Sequence, residues 1–275
     1  MNITDKVALV TGSTDGLGRD VAKRLAAQGA HVLIHGRDTE RAECVVRDIR
    51  TAGGSATFYR ADVSTRSGIQ ALACEIAGSR DKLDLLINNA GIGTGAAGSS
   101  RQITADGIEL RFAVNYLAGF ALTRLLLPLL LKGANARVVN VASVGQRPID
   151  FNNAMLSHGY SGVAAYCQSK LAQIMCTFDD ADELKHTGMT ANCLHPATYM
   201  DTTMVRSDGI TPVSAVDQGA DAVLYLATAP ALDRLTGLYF DGTRPANVHP
   251  DAYDPSIRKR LRQLSFQLSG LPLPR

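Results

Sequence analysis

Short apolar runs, each too brief for a helix, alternate with stretches of helical periodicity along nearly the whole chain. That alternation restricts the fold more than any other feature. A run of four to six apolar residues without polar alternation reads as a strand buried on both faces. Such strands, separated by helices of a dozen residues, call for βαβ crossovers in a parallel sheet. "KVALVTG", "HVLIHG", "ATFYRADV", "LDLLINNAG", "ARVVNVAS", "MTANCLHP" and "GLYFDG" are the candidate strands. Helices are expected between them, including a long one from about Thr104 to Lys132 and one bearing Tyr166 and Lys170. The reading is a single doubly wound α/β domain over residues 1–275 with about seven parallel strands and helices on both faces. Residues 241–275 form a C-terminal extension with an amphipathic helix.

Composition narrows the function. A net charge of +2 in 275 residues leaves no nucleic-acid footprint. Five scattered cysteines lack metal-ligand spacing and read as reduced thiols, so no metal site and a cytoplasmic location are expected. The start, "MNITDKVALV", is charged ahead of a very short apolar run and is not a signal peptide. "GFALTRLLLPLLLKG" is interrupted by Arg124 and Pro128 and is too short to span a bilayer.

"TGSTDGLG" follows the first strand and opens the first helix. Glycines there permit a tight turn and bring a pyrophosphate close to backbone N–H groups at a helix N-terminus. The spacing Gly12, Gly16, Gly18 differs from GxGxxG, but its place in a βαβ unit strengthens the dinucleotide reading. At the end of the second strand an NAD site needs an acidic group for the ribose 2′-hydroxyl. This chain has Gly36 and Arg37, which suit a 2′-phosphate, while Asp38 reads as a helix N-cap. NADP(H) is therefore favoured over NAD(H).

In "AAYCQSKLA" a tyrosine stands four residues before a lysine, so Tyr166 and Lys170 share one helix face. A nearby ammonium favours the phenolate and lowers a tyrosine pKa. With the glycine loop and "NNAG", this pair makes the chain resemble the short-chain dehydrogenase/reductase family from Lys6 to Gly242. The region around Tyr166 and the ending "IRKRLRQLSFQLSGLP" are similar to its retinol dehydrogenase-like branch, which acts on lipophilic aldehydes, ketones and alcohols.

The resemblance implies roles. Tyr166 would be the general acid or base, with Lys170 lowering its pKa and binding the nicotinamide ribose. Ser143 would hydrogen-bond the substrate oxygen, and Asn115 would hold a water leading to Lys170 or stabilise a helix irregularity. Gly12, Ser13, Thr14, Gly16, Leu17 and Gly18 would line the phosphates, with Arg37 at the 2′-phosphate. Asp62 and Val63 would flank the adenine, unless Asp62 instead caps the following helix. Asn89, Ala90 and Gly91 would pack beside the ribose, and Asn88 would brace the sheet. Near the nicotinamide the family pattern is altered. Pro196 is present, Ala197 follows it, Asp201 stands where threonine is common, and Thr198 would contact the carboxamide.

The interval from Ser143 to Tyr166 is long and implies a flap beside the site. Phe151, Met155 and Leu156 are expected to line an apolar pocket there, with His158 structural. In the tail, Ile257, Leu261, Leu264 and Leu268 recur at helical spacing among arginines. This suits packing on the domain or on a partner subunit better than peripheral contact with a membrane. By resemblance, the fourth and fifth crossover helices would pair subunits in a homodimer or homotetramer. The leading function is NADP(H)-dependent hydride transfer to or from a small apolar carbonyl or alcohol. The alternatives are a non-catalytic NADP(H)-binding regulatory or scaffolding protein and, less suited to this length, a sugar-nucleotide epimerase.

Overall fold

The computed structural model describes residues 1–273. The last two residues of the expected domain lie outside the described residues. Eight strands form one sheet in the order β3-β2-β1-β4-β5-β6-β7-β8. They are β1 (Val7–Val10), β2 (His31–Gly36), β3 (Ser55–Arg60), β4 (Leu85–Asn88), β5 (Arg137–Val141), β6 (Thr190–His195), β7 (Tyr239–Asp241) and β8 (Arg244–Pro245). The first seven pair in parallel, as the apolar runs predict. The additional β8 is a two-residue strand that turns back antiparallel on β7. The strand order reverses beside β1, at the gap between β1 and β4, which is where open α/β sheets bind ligands.

Helices cover both faces. On one lie α1 (Gly16–Ala27), α2 (Thr39–Thr51) and α8 (Val216–Thr228), whose apolar sides meet Val10, Ile34 and Leu194 of the sheet. On the other lie α3 (Arg66–Ser79), α4 (Ala118–Leu125), α5 (Leu127–Leu130) and α6 (Gly162–Leu184), packed on Leu9, Leu33, Leu86 and Val138. Two further α-helices are the short α7 (Thr203–Ser207) and the longer C-terminal α9 (Pro255–Ser269). Asp38 caps α2 as expected, accepting from the Arg41 N–H at 3.0 Å.

The long helix expected from Thr104 begins later. Ile103 pairs with Glu109 in a small bridge, and Thr104 to Gly107 form a turn, so helical structure starts only at Leu110. Its first stretch, Phe112–Leu117, is a π-helix. After Leu126 the chain turns, and Pro128 sits in the first turn of α5, where its missing N–H costs no helical bond.

The tail helix α9 turns its apolar stripe inward: Leu261 and Phe266 are buried, and Ile257, Leu264 and Leu268 pack on the main core. The stripe that would have to face a lipid surface is already covered by protein. No helix among the described residues is long and apolar enough to cross a membrane.

Candidate active site

The site is built where β1, β4 and β5 end. Thr11, just past β1, donates its hydroxyl proton to Ile87 O and accepts from the N–H groups of Asn89 and Ala90. Asn89 reaches back with its side-chain amide to Thr11 O at 2.9 Å and Gly12 O at 3.2 Å. These bonds fasten the "NNAG" segment to the glycine loop. Gly12 (φ +64°) and Gly16 (φ +50°) lie in the left-handed region, and a Cβ on Gly12 would stand 2.9 Å from Ala90 Cα. The loop thus passes close against Ala90 and delivers the N-terminus of α1 to the cleft. This cradle fits a dinucleotide pyrophosphate.

Two of the residues expected to line the phosphates have side chains turned elsewhere. Ser13 is fully buried, its N–H bonded to His35 O and its hydroxyl accepting from the His35 N–H, so its side chain holds the loop to β2. The Leu17 side chain is buried in the core beneath α1. Asp15 caps α1, accepting from Gly16 N at 2.8 Å.

At the end of β2, a Cβ on Gly36 would come within 2.5 Å of Thr14 Cγ2. An acidic side chain at Gly36 has no room without displacing Thr14. Asp38 is tied up as the α2 cap and by an ion pair with Arg41 at 3.4 Å. The guanidinium of Arg37 is exposed, while its carbonyl accepts from Arg60 Nε. Asp62 is exposed and uses one oxygen to accept from Ser64 N, while Thr65 caps α3. Beside it, Val63 is buried.

The sequence-predicted catalytic residues converge at the opposite end of the cleft. Asn115 lies in the π-helix and is buried, its carbonyl accepting from Ile92 N at 2.8 Å and its amide donating to Ile92 O and Ser169 Oγ. A π-turn widens the helical ring, and such turns occur often at functional sites. Gly91 follows, where a Cβ would stand 3.4 Å from Asn115 Oδ1 and 3.9 Å from Lys170 Nζ. Lys170 is buried and donates to Val141 O at 2.7 Å and Gln173 Oε1 at 3.3 Å. Burial brings its pKa down to about 7. Its ammonium lies 5.8 Å from the centre of the Tyr166 ring.

Tyr166 keeps part of its surface open, yet its pKa stands above the ordinary value. Burial around the hydroxyl is the main cause, partly offset by a hydrogen bond with Ser143; nearby Asp208 and Tyr199 raise it further. The lowering expected from Lys170 is not the dominant effect here. The lysine's own charge is destabilised by the same burial, which weakens its hold on the phenolate. Ser143 itself is held through its carbonyl, which accepts from Tyr239 Oη at 3.2 Å.

Asn88 braces the sheet as expected, donating to Asn140 Oδ1 and Thr123 Oγ1. Beyond β6, Pro196 and Ala197 are buried. Thr198 pairs its hydroxyl with His195 Nε2 at 3.0 Å. The unusual Asp201 is bound by Arg206 at 2.6 and 2.9 Å, and Thr202 caps α7. Asp201 is therefore committed to the segment carrying α7.

The flap packs differently from the expected apolar pocket. Phe151 lies under the Arg260 guanidinium, 4.4 Å from its ring centre, and Met155 packs on the main core. Leu156 clusters with Ala164, Ala165 and Tyr160. Arg111 clamps the flap: it donates to Gly93 O, Thr94 O and Tyr160 Oη, with Glu109 buried beside it. His158 is exposed.

Sequence reasoning missed several residues of the site. His35 is buried and accepts from Gly12 N through Nδ1 at 3.1 Å, and burial lowers its pKa to about 4. A polar residue ending an otherwise apolar buried strand was the available signal. Gln173 lies three residues beyond Lys170, on the same helical side. His195 is buried within electrostatic reach of Lys170, and Asp208 accepts from Thr94 Oγ1 at 3.1 Å. His195 directly precedes Pro196, which was the available signal for it, whereas the local sequence of Asp208 does not point to the cleft. Among the described residues no group of three His, Cys, Asp or Glu is arranged to hold a metal.

The short chain dehydrogenase family model matches residues 6–211. Retinol dehydrogenase 11 of Mus musculus is 34% identical over 286 residues, covering 99% of this chain and 89% of its own. Retinol dehydrogenase 13 of Homo sapiens is 32% identical, covering 99% and 87%. Among solved structures, an uncharacterised protein from Mycobacterium paratuberculosis superimposes with a TM-score of 0.81 at 29% identity, over 100% of this chain and 97% of the other. A short chain dehydrogenase from Escherichia coli CFT073 complexed with NADPH gives 0.72 at 29% identity, over 88% and 98%. The glycine cradle, the Tyr166–Lys170 helix and these matches agree: the chain belongs to the short-chain dehydrogenase/reductase family.

Proposed function

We propose that this oxidoreductase uses NADP(H) in preference to NAD(H) and acts on lipophilic ketones or aldehydes and the corresponding alcohols. The convergence of Asn115, Ser143, Tyr166 and Lys170 beside Gly91 carries this reading. NADP(H) supplies or receives the hydride when bound. Ser143 and Tyr166 place two hydroxyls where a carbonyl oxygen gathers negative charge. Tyr166, whose pKa stands above the ordinary value, is protonated at neutral pH and would donate that proton to the oxygen in the reducing direction. In the reverse direction the same phenolate removes the alcohol proton. Lys170, held by Val141 O and Gln173, would orient the ribose and restore the tyrosine proton.

The cofactor preference rests on the filled space at Gly36, the committed Asp38 and the exposed Arg37 guanidinium. The apolar substrate class rests on the names of the relatives and on the rim. Val144, Tyr199 and Met204 are 52%, 50% and 38% exposed. Val144 adjoins Ser143, Tyr199 stands within electrostatic reach of the Tyr166 hydroxyl, and Met204 lies on α7. Calorimetric titration with NADPH and NADH tests the preference. Arg37→Ala is expected to weaken NADPH by about 10- to 100-fold, the range of one charge-assisted hydrogen bond, and to leave NADH nearly unchanged. Equal losses for both cofactors would refute the assignment of Arg37.

A further inference from the structure

Ser143 lies past the end of β5, beyond the last sheet bond, in which Ala142 N donates to Leu194 O at 2.8 Å. Side chains hold it there instead. Its carbonyl accepts from Tyr239 Oη of β7 at 3.2 Å and, at a longer 3.4 Å, from Gln146 Nε2. Its hydroxyl oxygen accepts from Gly145 N at 3.1 Å, which leaves the hydroxyl proton for a different acceptor. Tyr239 is buried, and Gln146 also stands within hydrogen-bond reach of its hydroxyl.

The other end of the Gln146 amide reaches the C-terminal extension. Oε1 accepts from His249 N at 2.7 Å, and that bond fixes which way the amide faces, turning Nε2 to Ser143 O. His249 opens a single turn of 3-10 helix, Pro250–Tyr253. The turn has its own anchors: Ala252 is fully buried, and Tyr253 stacks on Phe178 of α6 with ring centres 5.7 Å apart. The same helix carries Tyr166 and Lys170. The extension therefore touches both parts of the catalytic group, α6 through Tyr253 and the Ser143 segment through Gln146.

We infer that Gln146 and Tyr239 are positioning residues that hold Ser143 by its carbonyl, and that Gln146 makes His249 of the C-terminal extension part of that support. The inference rests on the reading of Ser143 and Tyr166 as the hydroxyl pair that meets the substrate oxygen. The hydrogen bond between these two lowers the tyrosine pKa, so loosening Ser143 raises the pH at which Tyr166 acts as a base. The other groups facing Tyr166 are Cys167 and Lys170 on its own helix, Asp208 and Tyr199 from the segment after β6, and Tyr239. Gln146→Met alters none of them.

The test compares the parent with Gln146→Met and Tyr239→Phe in alcohol oxidation and ketone reduction from neutral to alkaline pH. NADPH affinity and hydrogen exchange at the Gly145 and His249 amides are measured alongside. Gln146→Met should lower kcat roughly tenfold and raise the apparent pKa of oxidation by at least about half a pH unit, with NADPH affinity within about threefold of the parent. Both amides should exchange at least about tenfold faster, since each loses or loosens its acceptor. Tyr239→Phe should move the pH profile in the same direction and leave His249 exchange unchanged. Gln146→Met with the parent's kcat and pH profile overturns the inference. So does a loss of activity with an unmoved profile and NADPH affinity falling in step, which marks a structural role alone, and so do unchanged amides, whatever the turnover. A parent that turns over no substrate while both amides respond to Gln146→Met refutes the reductase reading and upholds the support of Ser143.

Discussion

Replacing the buried lysine of the site should stabilise the empty protein near neutrality. Lys170 titrates near 7 in the fold against an ordinary 10.5, because burial disfavours its ammonium. Between those two values the unfolded chain binds the proton and the folded chain does not, so stability rises with pH across that window. Below about pH 7 the penalty is fully present; above 10.5 it is gone. At about 1.4 kcal/mol per pH unit, the ceiling is on the order of 4–5 kcal/mol. Lys170→Met removes that penalty but leaves Val141 O without its donor, which costs roughly 1–3 kcal/mol. The net expectation is a variant more stable than the parent by about 1–3 kcal/mol at pH 7 and less stable by a similar amount near pH 10.5. Urea denaturation of both proteins at matched pH measures it. A Lys170→Met protein that is less stable at pH 7, or a difference independent of pH, would refute the reasoning.

Two further outcomes follow from the supports of the site. His35→Leu removes the acceptor for the Gly12 N–H and should weaken NADPH binding by roughly 5- to 30-fold, whereas His35→Asn, which keeps an acceptor at that place, should stay within about threefold; titration of both variants decides it. Arg111→Met strands Glu109 in the core and frees the flap, so it should cost about 3–5 kcal/mol in urea melts and speed proteolysis between Arg147 and Tyr160.

The strands could be read from the chain because the central ones are buried on both faces and centre on short apolar runs such as VALV and LLI. The glycine loop was equally legible, since Gly12 and Gly16 serve backbone geometry that few other residues reach. Asn115 was read with an alternative, a residue that stabilises a helix irregularity, and the π-helix around it agrees with that alternative. What could not be read is tertiary. The bridge of Ile103 to Glu109 delays the helix, although Thr104 onward has no strong breaker except Gly107. Phe151, Met155 and Leu156 were apolar in any reading, but only the fold shows that they face the tail and the domain instead of the cleft. The pKa of Tyr166 depends on how much protein surrounds its hydroxyl, which the spacing to Lys170 does not contain.

The central claim is that Tyr166 is the proton donor of an NADP(H)-dependent reductase. Steady-state NADPH oxidation with a panel of apolar aldehydes and ketones, for the parent and Tyr166→Phe, tests it most directly when NADPH affinity is measured alongside. The account predicts turnover in the parent, a loss of at least about 100-fold in Tyr166→Phe and NADPH binding within a few-fold of the parent. Tyr166→Phe turning over at the parent's rate would contradict it, as would tight NADPH binding by a parent that reduces nothing on the panel.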